Sequence, residues 1–134
     1  IALIAESVDY GRTWSHSVES NLPMAASKPC SGVLSNGQRY LICSTTADGR
    51  NRRSPLTIAV SAPGKDTFSR LFVIRHAVFE DGPGESDSGA ALSYPYAVEH
   101  QGHLYVGYSN NGNRSGNNNS AELAIIPVRS LAVD

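Results

Sequence analysis

The residues whose side chains could bind or transform a ligand lie in or beside polar loops of the chain. They are Arg50, Arg53, Glu80, Asp81, Glu85, Tyr94 and Asn110. Arginine binds a carboxylate through two parallel N–H donors, and a glutamate can accept a proton from a reacting hydroxyl or return it. These residue types make an acid–base or carboxylate-binding site possible. The alternative is that the acids solvate a loop and that Tyr94 is an aromatic residue at the edge of the core.

The sequence does not contain a full set of residues for a metal site or for a cofactor site. His100 and His103 flank a turn and could meet across two strands as metal ligands, but no third ligand is evident beside them. We therefore expect surface histidines and no metal site. The sequence contains no Cys-x-x-Cys pair and no phosphate-binding glycine motif, so we also expect no cofactor.

Composition and charge indicate a globular protein built from short strands. The chain has 134 residues, of which 40% are hydrophobic, and its net charge is -1. That hydrophobic content is sufficient for one core. The net charge provides no basic surface for binding nucleic acid. No apolar run approaches the roughly 20 residues that span a bilayer, so we expect neither nucleic acid nor membrane as a partner. The 12 glycines and 7 prolines favour many turns.

Strands separated by turns account for nearly the whole chain. The predicted strands are 1–6, 15–19, 31–34, 39–44, 55–61, 68–75, 94–99, 103–109 and 122–129. Asn36-Gly37 and Gln101-Gly102 each separate two strands and predict hairpins. A two-residue type I′ turn at Asn36-Gly37 places Cys30 directly opposite Cys43, with adjacent sulfurs. A disulfide and a pair of buried thiols both remain open.

The predicted strands repeat with a period of about 50 residues, the size of a four-stranded propeller blade. Ser7…Thr13-Trp14 and Ser61…Thr67-Phe68 share one spacing, and each lies between two strands. We predict an all-β fold, a partial β-propeller with about two and a half antiparallel blades. Residues 1–19 would end one blade, 30–75 would form a full blade, and 94–129 would form the last blade without its outer strand.

Propellers close with roughly 4–8 blades, which is more than this chain supplies. We therefore expect it to be the C-terminal part of a propeller. The ring would be completed by the rest of the propeller or by further copies of the chain.

The turn between the first two predicted strands reads Ser7-x-Asp9-x-Gly11-x-Thr13-Trp14. Asp9 would accept backbone N–H bonds inside this turn, Gly11 would supply a conformation that other residues resist, and Trp14 would pack between blade sheets. The turn resembles the Asp-box of bacterial neuraminidase repeats, where these residues are structural. Segments 53–61, 81–85 and 93–96 are similar to the later blades of sialidase-like glycoside hydrolases.

The resemblance implies an exo-glycoside hydrolase that removes a terminal acidic sugar from glycans. Members of that family use a tyrosine nucleophile, activated by a glutamate, and arginines that hold the substrate carboxylate. Tyr94 would be the nucleophile, since a neutral phenol attacks an anionic sugar without charge repulsion. Its proton acceptor would be Glu85 or Glu80, and the carboxylate ligand would be Arg53 or Arg50.

The resemblance also implies a glycan as partner and a secreted or periplasmic location. Asp81 and Asn110 are further candidates for substrate contact. Because the Asp-box also occurs outside sialidases, a second hypothesis stays open: a non-catalytic propeller that binds glycans or proteins.

Overall fold

Nine strands in three antiparallel sheets make up the part of the chain that the computed structural model describes, residues 1–46, 52–116 and 118–133. The first sheet pairs β1 (Leu3–Ile4) with β2 (Val18–Glu19). The second has the order β3 (Cys30–Val33), β4 (Arg39–Ser44), β5 (Leu56–Ser61), β6 (Phe68–Arg75). The third has the order β7 (Leu92–His100), β8 (His103–Asn110), β9 (Ser120–Pro127).

A four-residue 3-10 helix, Val128–Leu131, follows β9. The predicted all-β class is confirmed, and each predicted strand coincides with an observed one to within a few residues. Over the described ranges, no helix has the length and apolar character needed to cross a bilayer.

The hydrophobic core lies between the second and third sheets, where β7 runs against β3 and β4. All six residues of β5 are buried, as expected for an interior strand whose sequence reads as a continuous run of apolar and β-branched residues. In β8, buried and partly exposed residues alternate with a period of two, so one face of the third sheet points into the core. Ile42, Ile58, Leu92 and Leu104 are fully buried there.

The turn at Asn36-Gly37 is longer than predicted. The N–H of Leu34 donates to the carbonyl of Gln38 (2.8 Å), which leaves three residues in the loop. Gly37 has φ +83, the left-handed conformation that ends a three-residue hairpin loop with a bulge. The prediction of a two-residue type I′ turn is therefore wrong at this hairpin.

The extra loop residue separates the two cysteines. Cys30 pairs with Ile42, whereas Cys43 pairs with Thr57 on the neighbouring strand. Because a shift of one residue moves a side chain to the other face of a strand, Cys30 and Cys43 project from opposite faces of the sheet. Both thiols are free. The predicted contact between the sulfurs is wrong.

The second predicted hairpin has the tight turn. Gln101 and Gly102 have φ 47 and 73, the pair of positive values that defines a type I′ turn. His100 and His103 consequently lie directly opposite each other.

Candidate functional site

Tyr94 stands beside Arg53 at one end of the third sheet. The guanidinium carbon of Arg53 lies 5.5 Å from the centre of the Tyr94 ring, within the range of a cation–π contact. The main chain joins the same two segments, because the N–H of Leu92 donates to the carbonyl of Arg53 (2.8 Å). The structure thus brings together two of the residues that the sequence singled out.

The backbone presents Tyr94 in an unusual way. Its φ is 54, and the pairing between β7 and β8 is irregular between Ser93 and Tyr96. A bulge of this kind turns a side chain away from its regular direction, and a left-handed conformation at a bulky residue is costly. The side chain of Tyr94 is accordingly 54% exposed at the start of β7.

Glu85 lies on the loop between β6 and β7, with its carboxylate held by two side chains. Arg114 Nη1 lies 2.7 Å from Glu85 Oε1, and the hydroxyl of Ser120 donates to the same oxygen (2.7 Å). The hydrogen bond from Arg114 and then that from Ser120 lower the pKa of Glu85. Glu85 is therefore ionised at neutral pH, and no hydrogen bond or ion pair between described residues joins it to Tyr94.

A buried ion pair lies beneath the loop of Glu85. Arg75 Nε is 3.4 Å from Glu122 Oε2, and their side chains are only 5% and 10% exposed. Tyr108, opposite Glu122 on β8, is buried as well. Burial, with a hydrogen bond to Glu122, raises the pKa of Tyr108 to about 12, so its hydroxyl stays protonated.

The sequence analysis missed Arg75, Glu122, Tyr108 and Arg114. Arg75 ends β6, and Glu122 is the third residue of β9, where the predicted strand 122–129 begins. Opposite charges at strand ends were the available signal, because a charge that is buried in a sheet protein needs a partner.

The other predicted site residues lie in different environments. Glu80 and Asp81 are exposed on the loop after β6. Asn110 is fully buried; its amide nitrogen donates to the carbonyl of Glu85 (3.1 Å) and to Glu122 Oε1 (3.0 Å), and its oxygen accepts from Gly112 N–H (2.9 Å). Arg50 lies outside the described residues.

The turn from Ser7 to Trp14 is closed by its own side chains. The N–H and hydroxyl of Thr13 donate to the two carboxylate oxygens of Asp9 (2.9 and 2.7 Å), and the N–H of Gly11 donates to Ser7 Oγ (2.8 Å). The hydroxyl and N–H of Thr13 lower the pKa of Asp9 to about 2. The predicted backbone bond to Asp9 is confirmed.

The predicted packing of Trp14 between sheets is not observed. The residue is 64% exposed, and its ring lies over Gly11, 3.8 Å from where a β-carbon would stand. The ring thus folds back onto its own turn.

Two cavities of the described chain lie away from Tyr94. One, of about 720 Å³, lies between the first sheet and the face of β3 and β4. The other, of about 620 Å³, lies between β6 and β9, where Arg75, Phe79 and Glu122 line it. Within the described ranges, no three His, Cys, Asp or Glu side chains are grouped as metal ligands.

The sheets and repeats define an all-β protein of propeller-like units. A family model of the BNR repeat-like domain matches residues 2–106. The chain therefore belongs to the BNR repeat-like family, and the predicted resemblance to sialidase-like BNR proteins is confirmed at that level. Neither a curated protein nor a solved structure matches the chain.

Proposed function

We propose that the chain carries part of the active centre of an exo-glycoside hydrolase that removes a terminal acidic sugar from glycans. In this proposal Tyr94 is the nucleophile and Arg53 binds the carboxylate of the sugar. The observation that carries it is the position of the Arg53 guanidinium 5.5 Å from the ring of an exposed tyrosine. Membership of the BNR repeat-like family supports the same reading.

The reaction would proceed through two displacements. The phenol oxygen of Tyr94 forms a bond to the anomeric carbon while the bond to the leaving oxygen breaks, and a general acid protonates that oxygen. The phenol proton passes to a carboxylate. Water then forms a bond to the anomeric carbon and gives a proton to the conjugate base of the general acid, while the tyrosyl–sugar bond breaks and the carboxylic acid returns its proton to the phenol oxygen. A neutral phenol suits this role because it approaches an anionic sugar without repulsion between like charges.

Glu85 is the proposed proton acceptor, and Glu80 is the second candidate. The hydrogen bonds from Arg114 and Ser120 lower the pKa of Glu85 and so favour its carboxylate form, which is the state that a proton acceptor needs. Its contacts with those two side chains also lower its basicity. The proposal places the glycan outside the cell or in the periplasm, where such substrates occur.

The test is hydrolysis of a fluorogenic acidic-sugar glycoside by the complete protein. Tyr94→Phe should lower kcat at least about a hundredfold while glycan binding is retained. Tyr96→Phe is the matched control, because Tyr96 is an exposed tyrosine two residues along the same strand. Arg53→Lys should raise KM, since lysine lacks the planar fork, and Arg52→Lys is its control. Equal rates for the Tyr94 and Tyr96 variants would exclude Tyr94 as the nucleophile.

The second candidate function is a non-catalytic propeller that binds glycans or proteins. It is favoured by the exposure of two aromatic residues on β7, Tyr94 and Tyr96, which could form a platform for a sugar ring. This function would be supported if the wild-type protein binds glycans but hydrolyses neither acidic nor neutral glycosides.

A further inference from the structure

We propose that Glu122 and Arg75 are positioning residues, which fix Glu85 and its loop by holding the main chain of Glu85. The role in turnover rests on the proposed function. The role in holding the loop does not, and it can be measured without substrate.

Both polar main-chain atoms of Glu85 are bound by side chains from other elements. Its N–H donates to Glu122 Oε1 (2.9 Å). Its carbonyl accepts from Arg75 Nη2 (2.7 Å) and from Asn110 Nδ2 (3.1 Å). Two of these three bonds involve an ionised partner, the stronger class of hydrogen bond. The position of Glu85 is thus set by groups in the protein interior, independently of its own carboxylate.

The buried pair is a costly way to fill this space. Two charges lose their hydration when they are buried, and apolar residues of similar size are often as stable or more so. What Arg75 and Glu122 provide instead is directed hydrogen bonding. Glu122 accepts from Asn110 (3.0 Å) as well as from Glu85, and Arg75 also donates to the carbonyl of His76, where the loop begins.

Gly84 shows how closely the loop approaches this pair. Its φ is +98, and a β-carbon there would lie 2.8 Å from Glu122 Cδ. Any other residue would therefore push the carboxylate or the loop aside. The absence of a side chain at position 84 is what lets Glu122 reach the next N–H.

The end of the same loop is bound to Asn111, and the strand that follows it is bound to the segment that carries Arg53. Ala91 N–H donates to Asn111 Oδ1 (2.7 Å), and Asn111 N–H donates back to the carbonyl of Ala91 (3.2 Å). The next residue, Leu92, donates to the carbonyl of Arg53 (2.8 Å). The loop that carries Glu85 therefore ends at the strand that carries Tyr94 and at the main chain of Arg53.

The test compares Glu122→Gln with Glu122→Met in the complete protein. Both substitutions remove the charge opposite Arg75, but only glutamine keeps an acceptor oxygen for Glu85 and Asn110. The readout is hydrogen exchange of the Glu85 amide relative to the amides of β5. Glu122→Met should raise that ratio at least about tenfold, the value of one hydrogen bond, and Glu122→Gln should leave it within about threefold.

If Glu122 only stabilised the fold, hydrogen exchange would rise in β5 and at Glu85 together. The ratio of Glu85 exchange to β5 exchange would then be alike in Glu122→Met and Glu122→Gln, and that result would overturn the proposal. Gly84→Ala is the second variant, because it keeps both charged residues of the ion pair. This variant should raise the exchange ratio as Glu122→Met does. An unchanged ratio in Gly84→Ala would also overturn the proposal. Where the wild type hydrolyses the acidic glycoside, Glu122→Met should lower kcat at least about tenfold more than Glu122→Gln. A wild type without turnover contradicts the proposed function, while the exchange ratio still decides the positioning.

Discussion

Replacement of Arg75 by methionine tests how much the buried ion pair contributes to stability. Arg75→Met leaves the carboxylate of Glu122 unpaired in a site where that side chain is 10% exposed. Removal of one partner of a buried pair costs about 3–5 kcal/mol. Because domains unfold with about 5–15 kcal/mol, this is a large share of the total. For a chain of 134 residues the unfolding midpoint should fall by roughly 10–20 °C.

The double variant Arg75→Met/Glu122→Met should recover part of this loss. It removes both charges, but it leaves the N–H of Glu85 without its acceptor, which costs about 1–3 kcal/mol. Because either single replacement leaves a buried charge unpaired and the double replacement leaves none, the pair should show a coupling of at least about 3 kcal/mol in a double-mutant cycle. Urea titration followed by far-UV circular dichroism measures all four proteins. A loss below about 1 kcal/mol for Arg75→Met, or a double variant equal to the sum of the singles, would refute the reasoning.

Three further outcomes follow from the fold. Cys30 and Cys43 project from opposite faces, so a thiol oxidant should not join them within one chain; loss of both thiols in a monomer, by thiol titration, would contradict the observed register. The pKa of Asp9 is lowered to about 2, so its stabilising effect is present above its ordinary value of about 3.9 and disappears as pH falls towards 2. The difference in free energy of unfolding between wild type and Asp9→Asn should vanish as the pH falls from about 3.9 towards 2. A difference that does not change with pH would contradict the lowered pKa of Asp9. Ile58 is fully buried, and Ile58→Ala should cost about 2–5 kcal/mol in urea unfolding.

The strands could be predicted because short-range physics determines them. β4 and β6 begin and end at the predicted residues, since each is an apolar run bounded by turn residues or polar loops. The register of the first hairpin could not be predicted, because Asn36-Gly37 is compatible with a two-residue loop and with a three-residue loop. The difference is one residue, and it reverses the face of Cys30 relative to Cys43.

The candidate site was predictable only in part. Tyr94 and Arg53 are exposed or partly buried polar residues beside strand ends, so sequence position alone suggests that they could meet. Glu85 meets Arg114 and Ser120 instead of Tyr94. That contact joins the loop between β6 and β7 to the loop between β8 and β9 and to the start of β9. Its partners are set by tertiary packing rather than by local spacing.

Glu85 and Glu122 illustrate how one sheet end can hold two carboxylates in different roles. The side chain of Glu122 is largely buried, and its oxygens contact Arg75, Asn110, Tyr108 and a main-chain N–H. Glu85 is partly exposed, and its carboxylate faces two side chains at the surface. A single peptide group connects them, because the N–H that Glu122 binds belongs to Glu85 itself. A change in the interior pair must therefore move the surface carboxylate, whereas a change at the Glu85 side chain need not disturb the interior. This asymmetry predicts that Glu85→Gln preserves the unfolding midpoint, which removal of the charge at position 122 lowers.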